Sequence, residues 1–289
     1  MTTTPFGSRL RIAMDTAGPL CAGLDPHRGL LNAWGLDYTV DGLETFAMTC
    51  VEAFAGQVAA VKPQSAFFEA FGSAGIRVLE RVLAELREAE TLSILDVKRG
   101  DIGSTMAAYA DAYLGDESDL RADAITVSPF LGYGSLRPAL ELAEQTGRGV
   151  FVLALTSNPE GPAVQHARLE GTSVAASVIA GAAADNADAT TRGDLGSVGL
   201  VIGATVGSAV HDLGLDLVAA NTPILAPGVG AQGGTIGDLR SVFGAALPQV
   251  LASSSREILS AGPDVTALRE RAREVAHGLA SAWQDRLRE

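Results

Sequence analysis

The stretch that decides the fold is TLSILDVKRGDIGST, residues 91–105. A short apolar run, Leu92 to Leu95, ends abruptly in Asp96, Lys98, Arg99 and Asp101. Four to eight apolar residues closed by charge read as a strand buried on both faces that surfaces at its C-terminal end. The same pattern recurs along the chain. LCAGLD (20–25), VAAVK (58–62), AITVS (124–128), VFVLAL (150–155), VGLVIGA (198–204), PILAPG (223–228) and QVLAS (249–253) bring the candidate strands to eight. Between them lie amphipathic stretches such as SAGIRVLERVLAELREAE (73–90) and GTSVAASVIAGAAADNA (171–187). The closing stretch 264–289 begins with Asp264 in N-cap position and carries one apolar face.

Eight strand–helix units in 289 residues fit a single (β/α)8 TIM barrel spanning 1–289, with a doubly wound open sheet as the alternative. No linker or change of composition divides the chain. The segment from Ser157 to Ser197 exceeds a minimal connection and is expected to hold an extra loop before its helix.

Composition narrows the function. Hydrophobic residues make up 47% of the chain, enough for a sizeable core, yet no long uncharged apolar run offers a membrane span. The start, MTTTPFGSRLRIAMD, lacks the apolar stretch of a signal peptide. A net charge of −13 argues against nucleic acid or an anionic membrane as partner, though it leaves room for a locally basic pocket. Cys21 and Cys50 form neither a CxxC nor a metal spacing and read as reduced, buried thiols of a cytoplasmic protein. His27, His166, His211 and His277 are scattered, so no histidine metal site is expected.

Lysine is the informative residue. The chain has 19 arginines and only two lysines, Lys62 and Lys98, both at the C-terminal ends of candidate strands. A strand end that merely becomes solvated is served equally well by arginine. Lysine is a compact point charge that can give up its proton, which arginine does not readily do. The two positions therefore call for an ammonium, and at least one is expected to handle a proton. Asp25, Ser128, Ser157 and Gly228 fall at equivalent ends, and in a barrel those ends converge on the face that carries the chemistry. Asp96 and Lys98, two apart on a strand, point to one side.

GVGAQG (228–233) formally matches a dinucleotide fingerprint. It follows the seventh candidate strand rather than the first, and no acidic residue stands at the next strand end. A phosphate clasp between the seventh and eighth strands fits its position better, with Arg256 adding charge-assisted bonds. A plain tight turn remains the alternative.

LDVKRGDIGST resembles the D-x-K-x-x-D-I signature of the orotidine 5′-phosphate decarboxylase family. GLDP (23–26), VKPQSAFFEAFG (61–72), LTSNPE (155–160), PGVGAQGG (227–234) and SSSREIL (253–259) extend the resemblance over nearly the whole barrel, in the form of the bacterial subgroup with longer loops. The resemblance implies cofactor-independent decarboxylation of a nucleotide to uridine 5′-phosphate in pyrimidine synthesis, with no metal. It implies that Lys62, Asp96, Lys98 and Asp101 form an alternating charge network, with Lys98 protonating C6 of the pyrimidine. Asp25 and Lys62 would hold the ribose. Asp101, with Thr105, would reach a ribose hydroxyl in the neighbouring subunit of a homodimer with shared sites. Ser157 would meet the pyrimidine. Gly228, Gly230, Gln232 and Arg256 would form the phosphate side.

Three rivals use the same barrel. Magnesium-dependent phosphosugar decarboxylases share D-x-K-x-x-D but place a carboxylate where this chain has Lys62, whose charge would repel a metal. A Schiff-base aldolase would need an uncharged lysine, and flanking aspartates oppose that. A nucleotide sensor without catalysis would not need the complete charged set.

Overall fold

The computed structural model describes residues 4–230 and 233–286. Its strands are β1 (Leu20–Leu24), β2 (Ala60–Pro63), β3 (Leu92–Arg99), β4 (Ala124–Val127), β5 (Gly149–Leu155), β6 (Arg168–Leu169), β7 (Thr172–Ser173), β8 (Val198–Ile202), β9 (Ile224–Pro227) and β10 (Val250–Ser254). Eight of them close a parallel barrel in chain order, with β10 pairing back to β1. All eight expected strands are these eight, and the (β/α)8 reading holds. β6 and β7 form a separate two-stranded hairpin. This hairpin, with the short helix Gly161–Gln165, is the extra structure expected after Ser157.

The strands read as unbroken apolar runs because both faces are covered. Leu20, Ala22 and Leu24 pack outward against the helices, while Cys21 points into the barrel with Ile94, Phe151, Val201, Leu225 and Leu251. Two core clusters result, one inside the barrel and one between the barrel and its helices. Expected helices 73–90 and 171–187 appear as Gly72–Glu88 and Val174–Asp185, the latter capped by the Ser173 hydroxyl. The closing helix is Val265–Arg286, and Asp264 accepts the Ala267 N–H at 2.8 Å as its N-cap.

One element has no counterpart in the sequence reading. Helix Phe6–Ala17 closes the N-terminal end of the barrel, and its Phe6, Leu10 and Met14 belong to the interior cluster. Phe6 meets Phe151 edge-to-face, with ring centroids 5.9 Å apart. Gly149 makes room for it: a Cβ there would lie 2.3 Å from the Phe6 ring. With its floor filled by this helix, the barrel interior opens toward the C-terminal ends of the strands.

Phe6→Ala is expected to destabilise the fold by about 3–5 kcal/mol, because a fully buried aromatic is lost from a packed interior. Urea unfolding checks this. A loss under about 1 kcal/mol would mean that the helix is not part of the core.

Candidate active site

Inward-facing positions alternate along each strand, and they change character toward the C-terminal end. Ala60 is followed by Lys62, Ile94 by Asp96, and Ala124 by Thr126. The registers Gln64↔Asp96 and Ile94↔Ala124 set Asp96 between Gln64 and Thr126, with Lys62 one inward position below Gln64.

Asp96 is the centre of the group. Its Oδ2 accepts from Lys62 Nζ at 3.0 Å, and its Oδ1 accepts from Lys98 Nζ at 2.5 Å and from Thr126 Oγ1 at 2.8 Å. Lys62 also donates to Gln64 Oε1 at 3.2 Å. The side chains of Lys62 and Asp96 are each 8% exposed, whereas that of Lys98 is 46% exposed. A buried pair thus holds a second ammonium whose outer side is open. Burial alone would raise the Asp96 pKa; the charge of Lys62, then that of Lys98, overrides it and holds the carboxyl well below the usual range. Burial alone would lower the Lys62 pKa, and Asp96, then Asp25, reverses this and keeps it above the ordinary lysine value. Burial raises Cys21, beside Lys62, to about 12, so this thiol stays protonated.

Lys98 reaches its place through an irregular strand. Leu95 pairs with Ile125 but Arg99 pairs with Val127, so β3 uses four residues where β4 uses two. Lys98 takes φ +44°, in the left-handed region that non-glycine residues rarely occupy. Its N–H, turned from the ladder, donates to Thr126 Oγ1 at 3.0 Å. The expectation that Asp96 and Lys98 share a side holds, through a bulge rather than a regular pleat.

Lys62, Asp96, Lys98 and Thr126 form one wall of a cavity of about 280 Å³. Ser157 lies on its rim with Thr156 and Asn158, and Leu153, Val201, Leu225 and Pro227 supply an apolar floor. A larger hollow of about 740 Å³ opens at the other end of the barrel around Gly18, Pro248 and Trp283, away from every strand-end charge described above.

The other expected site residues lie outside this cavity's lining. Asp25 ends β1 with Oδ1 buried and without a hydrogen-bond partner. Asp101 turns its Oδ1 onto the Ile102 N–H at 2.8 Å, and Thr105 is exposed one turn further on. Gly228 and Gly230, both at positive φ, belong to a loop closed on itself: Gly230 N–H donates to Gly234 O at 2.8 Å and Gly234 N–H to Gly228 O at 2.9 Å. The Gly230 and Gly234 N–H groups are thus already engaged. Gly230 also admits Glu257, whose Oε2 would lie 1.8 Å from a Cβ. Arg256 is exposed at the start of helix Arg256–Leu259, just past β10. Gln232 lies outside the described residues. Thr126 and Gln64 are the partners that sequence reasoning missed. Thr126 could have been found as the polar inward position of β4; Ser128, flagged instead, donates its N–H to Arg99 O at 2.7 Å and continues the sheet.

A parallel barrel with a buried Lys–Asp pair and a half-exposed lysine at its C-terminal mouth has the architecture of a barrel enzyme with a charged site. The chain belongs to the orotidine 5′-phosphate decarboxylase / HUMPS family, whose model matches residues 18–271. It is 59% identical over 271 residues to the orotidine 5′-phosphate decarboxylase of Salinispora tropica, covering 93% of this chain and 95% of that protein. It is 57% identical over 274 residues to that of Streptomyces coelicolor, covering 94% and 96%. A crystal structure of a Streptomyces avermitilis protein assigned the same activity superposes with a TM-score of 0.92 at 55% identity, covering 98% of this chain and 97% of that one.

The pair's pH dependence follows from the two shifts. Asp96 has a depressed folded pKa, so its contribution is present above the unfolded value near 3.9 and lost as pH falls through the folded value. Lys62 has a raised folded pKa, so its contribution is present below about 10.4 and lost as pH rises through the folded value. Asp96→Asn, which strands a buried lysine, is expected to cost roughly 3 kcal/mol. In denaturant titrations the gap to wild type should be level from about pH 5 to about pH 9 and narrow below about pH 4. A gap of constant size down to about pH 2 would contradict the paired, ionised Asp96.

Proposed function

We propose that the protein decarboxylates orotidine 5′-phosphate to uridine 5′-phosphate, without a cofactor, as a cytoplasmic enzyme of pyrimidine synthesis. The observation that carries this reading is the half-exposed Lys98 ammonium, fixed on the buried Asp96 and facing the cavity. Loss of carbon dioxide from C6 leaves negative charge on a carbon with no adjacent electron sink. A preorganised ammonium stabilises that charge as it forms and then supplies the proton. Asp96 orients Lys98, because its carboxylate is itself fixed by Lys62 and Thr126 while its Oδ1 accepts from the Lys98 ammonium. Its charge also opposes a substrate carboxylate, an opposition that ends as carbon dioxide departs.

The remaining residues take the roles that the family resemblance implies. Asp25 and Lys62 hold the ribose, and Ser157 on the rim bonds the pyrimidine. The loop of Gly228 and Gly230, with Gln232 and Arg256, holds the phosphate. Since the Gly230 and Gly234 N–H groups serve the loop itself, the phosphate's principal charged partner is Arg256. Lys62 also separates this reading from the magnesium-dependent branch, because it puts a cation where that branch needs a carboxylate. Asp96 disfavours a Schiff-base aldolase acting through Lys62 by keeping that lysine protonated.

The active unit is a homodimer with shared sites. Asp101 and Thr105 stand outside their own cavity's lining, next in sequence to the 61% exposed Ile102, and the chain just past the adjacent strand β4 carries Phe130 and Leu131, 77% and 53% exposed. An apolar rim next to polar residues with no work in their own barrel suits a second copy of the chain.

Two experiments test this. Lys98→Ala should fold and lose nearly all turnover, followed by the orotate absorbance with chelator present. Lys98→Arg should fail too, since guanidinium is a poor acid. Near wild-type turnover in Lys98→Arg would remove the proton-donor role. For the dimer, Lys98→Ala and Asp101→Ala chains, each inactive alone, are unfolded and refolded together. In a mixed dimer both defects fall in one site and the other is intact, so about a quarter of wild-type activity should return. Activity that stays at the sum of the two mutants, with mixed dimers confirmed by mass, would place Asp101 in its own subunit's site.

A further inference from the structure

We infer that Gln165 is a positioning residue for the reaction: its side-chain amide clamps Thr156 and thereby sets Ser157 at the cavity rim. The inference rests on the reading above, in which Ser157 meets the substrate base.

Thr156 is the first residue past β5, where the main chain leaves the ladder. Gln165 Oε1 accepts the Thr156 N–H at 2.9 Å, and Gln165 Nε2 donates to Thr156 Oγ1 at 2.6 Å. One flat amide thus grips the main chain and the side chain of a single residue nine positions earlier. The grip extends forward. Thr156 Oγ1 donates to Asn158 Oδ1 at 2.6 Å, and Asn158 Nδ2 donates to Glu160 Oε2 at 2.9 Å. Gly161 is shaped for the clamp: a Cβ there would lie 2.9 Å from Thr156 Oγ1 and 3.1 Å from Gln165 Oε1. Thr156 and Asn158 are therefore held on either side of Ser157. Ser157 itself makes no hydrogen bond among the described residues, lines the cavity and is exposed. A hydroxyl free to bond, on a backbone fixed at both sides, is what a base contact needs, because an ångström of drift at such a contact is expensive in rate.

Gln165 is not among the residues that line the cavity and meets that lining at Thr156, so it acts through Thr156. Gln165→Met keeps the length and bulk but removes both hydrogen bonds. It should lower kcat/KM by roughly ten- to a hundred-fold with an unchanged unfolding midpoint. Gln165→Glu, which keeps an acceptor for the Thr156 N–H, should lose less than Gln165→Met. The deciding measurement is the double variant with Ser157→Ala. If Gln165 works by placing Ser157, Ser157→Ala/Gln165→Met should be no slower than Ser157→Ala alone. Losses that multiply in the double variant, with Ser157→Ala itself damaging, would overturn the role of Gln165 and leave the base contact standing. An undiminished kcat/KM in Gln165→Met would overturn it too. A Ser157→Ala enzyme with wild-type kcat/KM would instead overturn the base-contact reading, and this inference with it.

Discussion

The contact between Lys62 and Asp96 is the constraint on which the site depends. Two opposite charges lie inside a barrel whose inward positions one step below, on β2, β3 and β4, are Ala60, Ile94 and Ala124. Neither charge would be tolerated alone there, since an unpaired buried ion costs several kcal/mol. Together, and with Thr126 and Gln64 taking further hydrogen-bonding capacity, they form a fixed polar layer on an apolar stack. That layer dictates what surrounds it. The plug of Phe6, Leu10 and Met14 fills the barrel from below, so the polar layer meets open space on one side only. Lys98 can then sit between the buried carboxylate and the cavity, with its charge secured from behind.

Securing Lys98 required an irregularity. A regular strand would carry Lys98 one pleat beyond Asp96, about 6–7 Å further along. The doubled count of β3 residues against β4, with the left-handed backbone at Lys98, lets the side chain come back onto Asp96. Left-handed residues cost of order 1–3 kcal/mol and persist where the surroundings impose them. Here the imposing contacts are identifiable. Thr126 Oγ1 takes the displaced N–H of Lys98 while its own proton goes to Asp96. Arg99, next in sequence, donates to Glu69 Oε1 at 2.8 Å and anchors the strand end. The strain lies at the residue proposed to donate the proton.

Much of this was legible before any coordinates. The barrel follows from eight apolar runs because strands buried on both faces cannot hide their composition. The two lysines stand out because the chain places its other cations on arginine. What stayed hidden has physical reasons. The bulge is a relation between β3 and β4, and no single strand's pattern records it. Thr126 looks like any β-branched strand former, so its hydroxyl carries no signal until Asp96 is opposite it. Helix Phe6–Ala17 is short and, of its buried positions, Gly7 gives no apolar cue, so it does not announce itself as a barrel plug. The glycine loop is the reverse case. Its composition suggested N–H groups offered to phosphate, whereas those of Gly230 and Gly234 are used to close the loop. Composition reports that a backbone can approach something; it does not report what it approaches.

The last tension is between the chain's charge and that of its proposed substrate. A protein of net charge −13 would repel a carboxylate and a phosphate if charge acted as a sum. It does not, because exposed charges more than about 8 Å apart are largely screened at physiological salt. What an incoming anion meets is local: the half-exposed Lys98, Lys62 just behind it, and Arg256 exposed past strand β10 at the same end of the barrel. Asp96 subtracts less from this field than its charge implies, since Lys62 neutralises it at 3.0 Å from the buried side. The buried pair therefore does more than hold Lys98. It lets a carboxylate orient the Lys98 ammonium without cancelling its charge, so the wall stays net positive toward the cavity in an acidic protein.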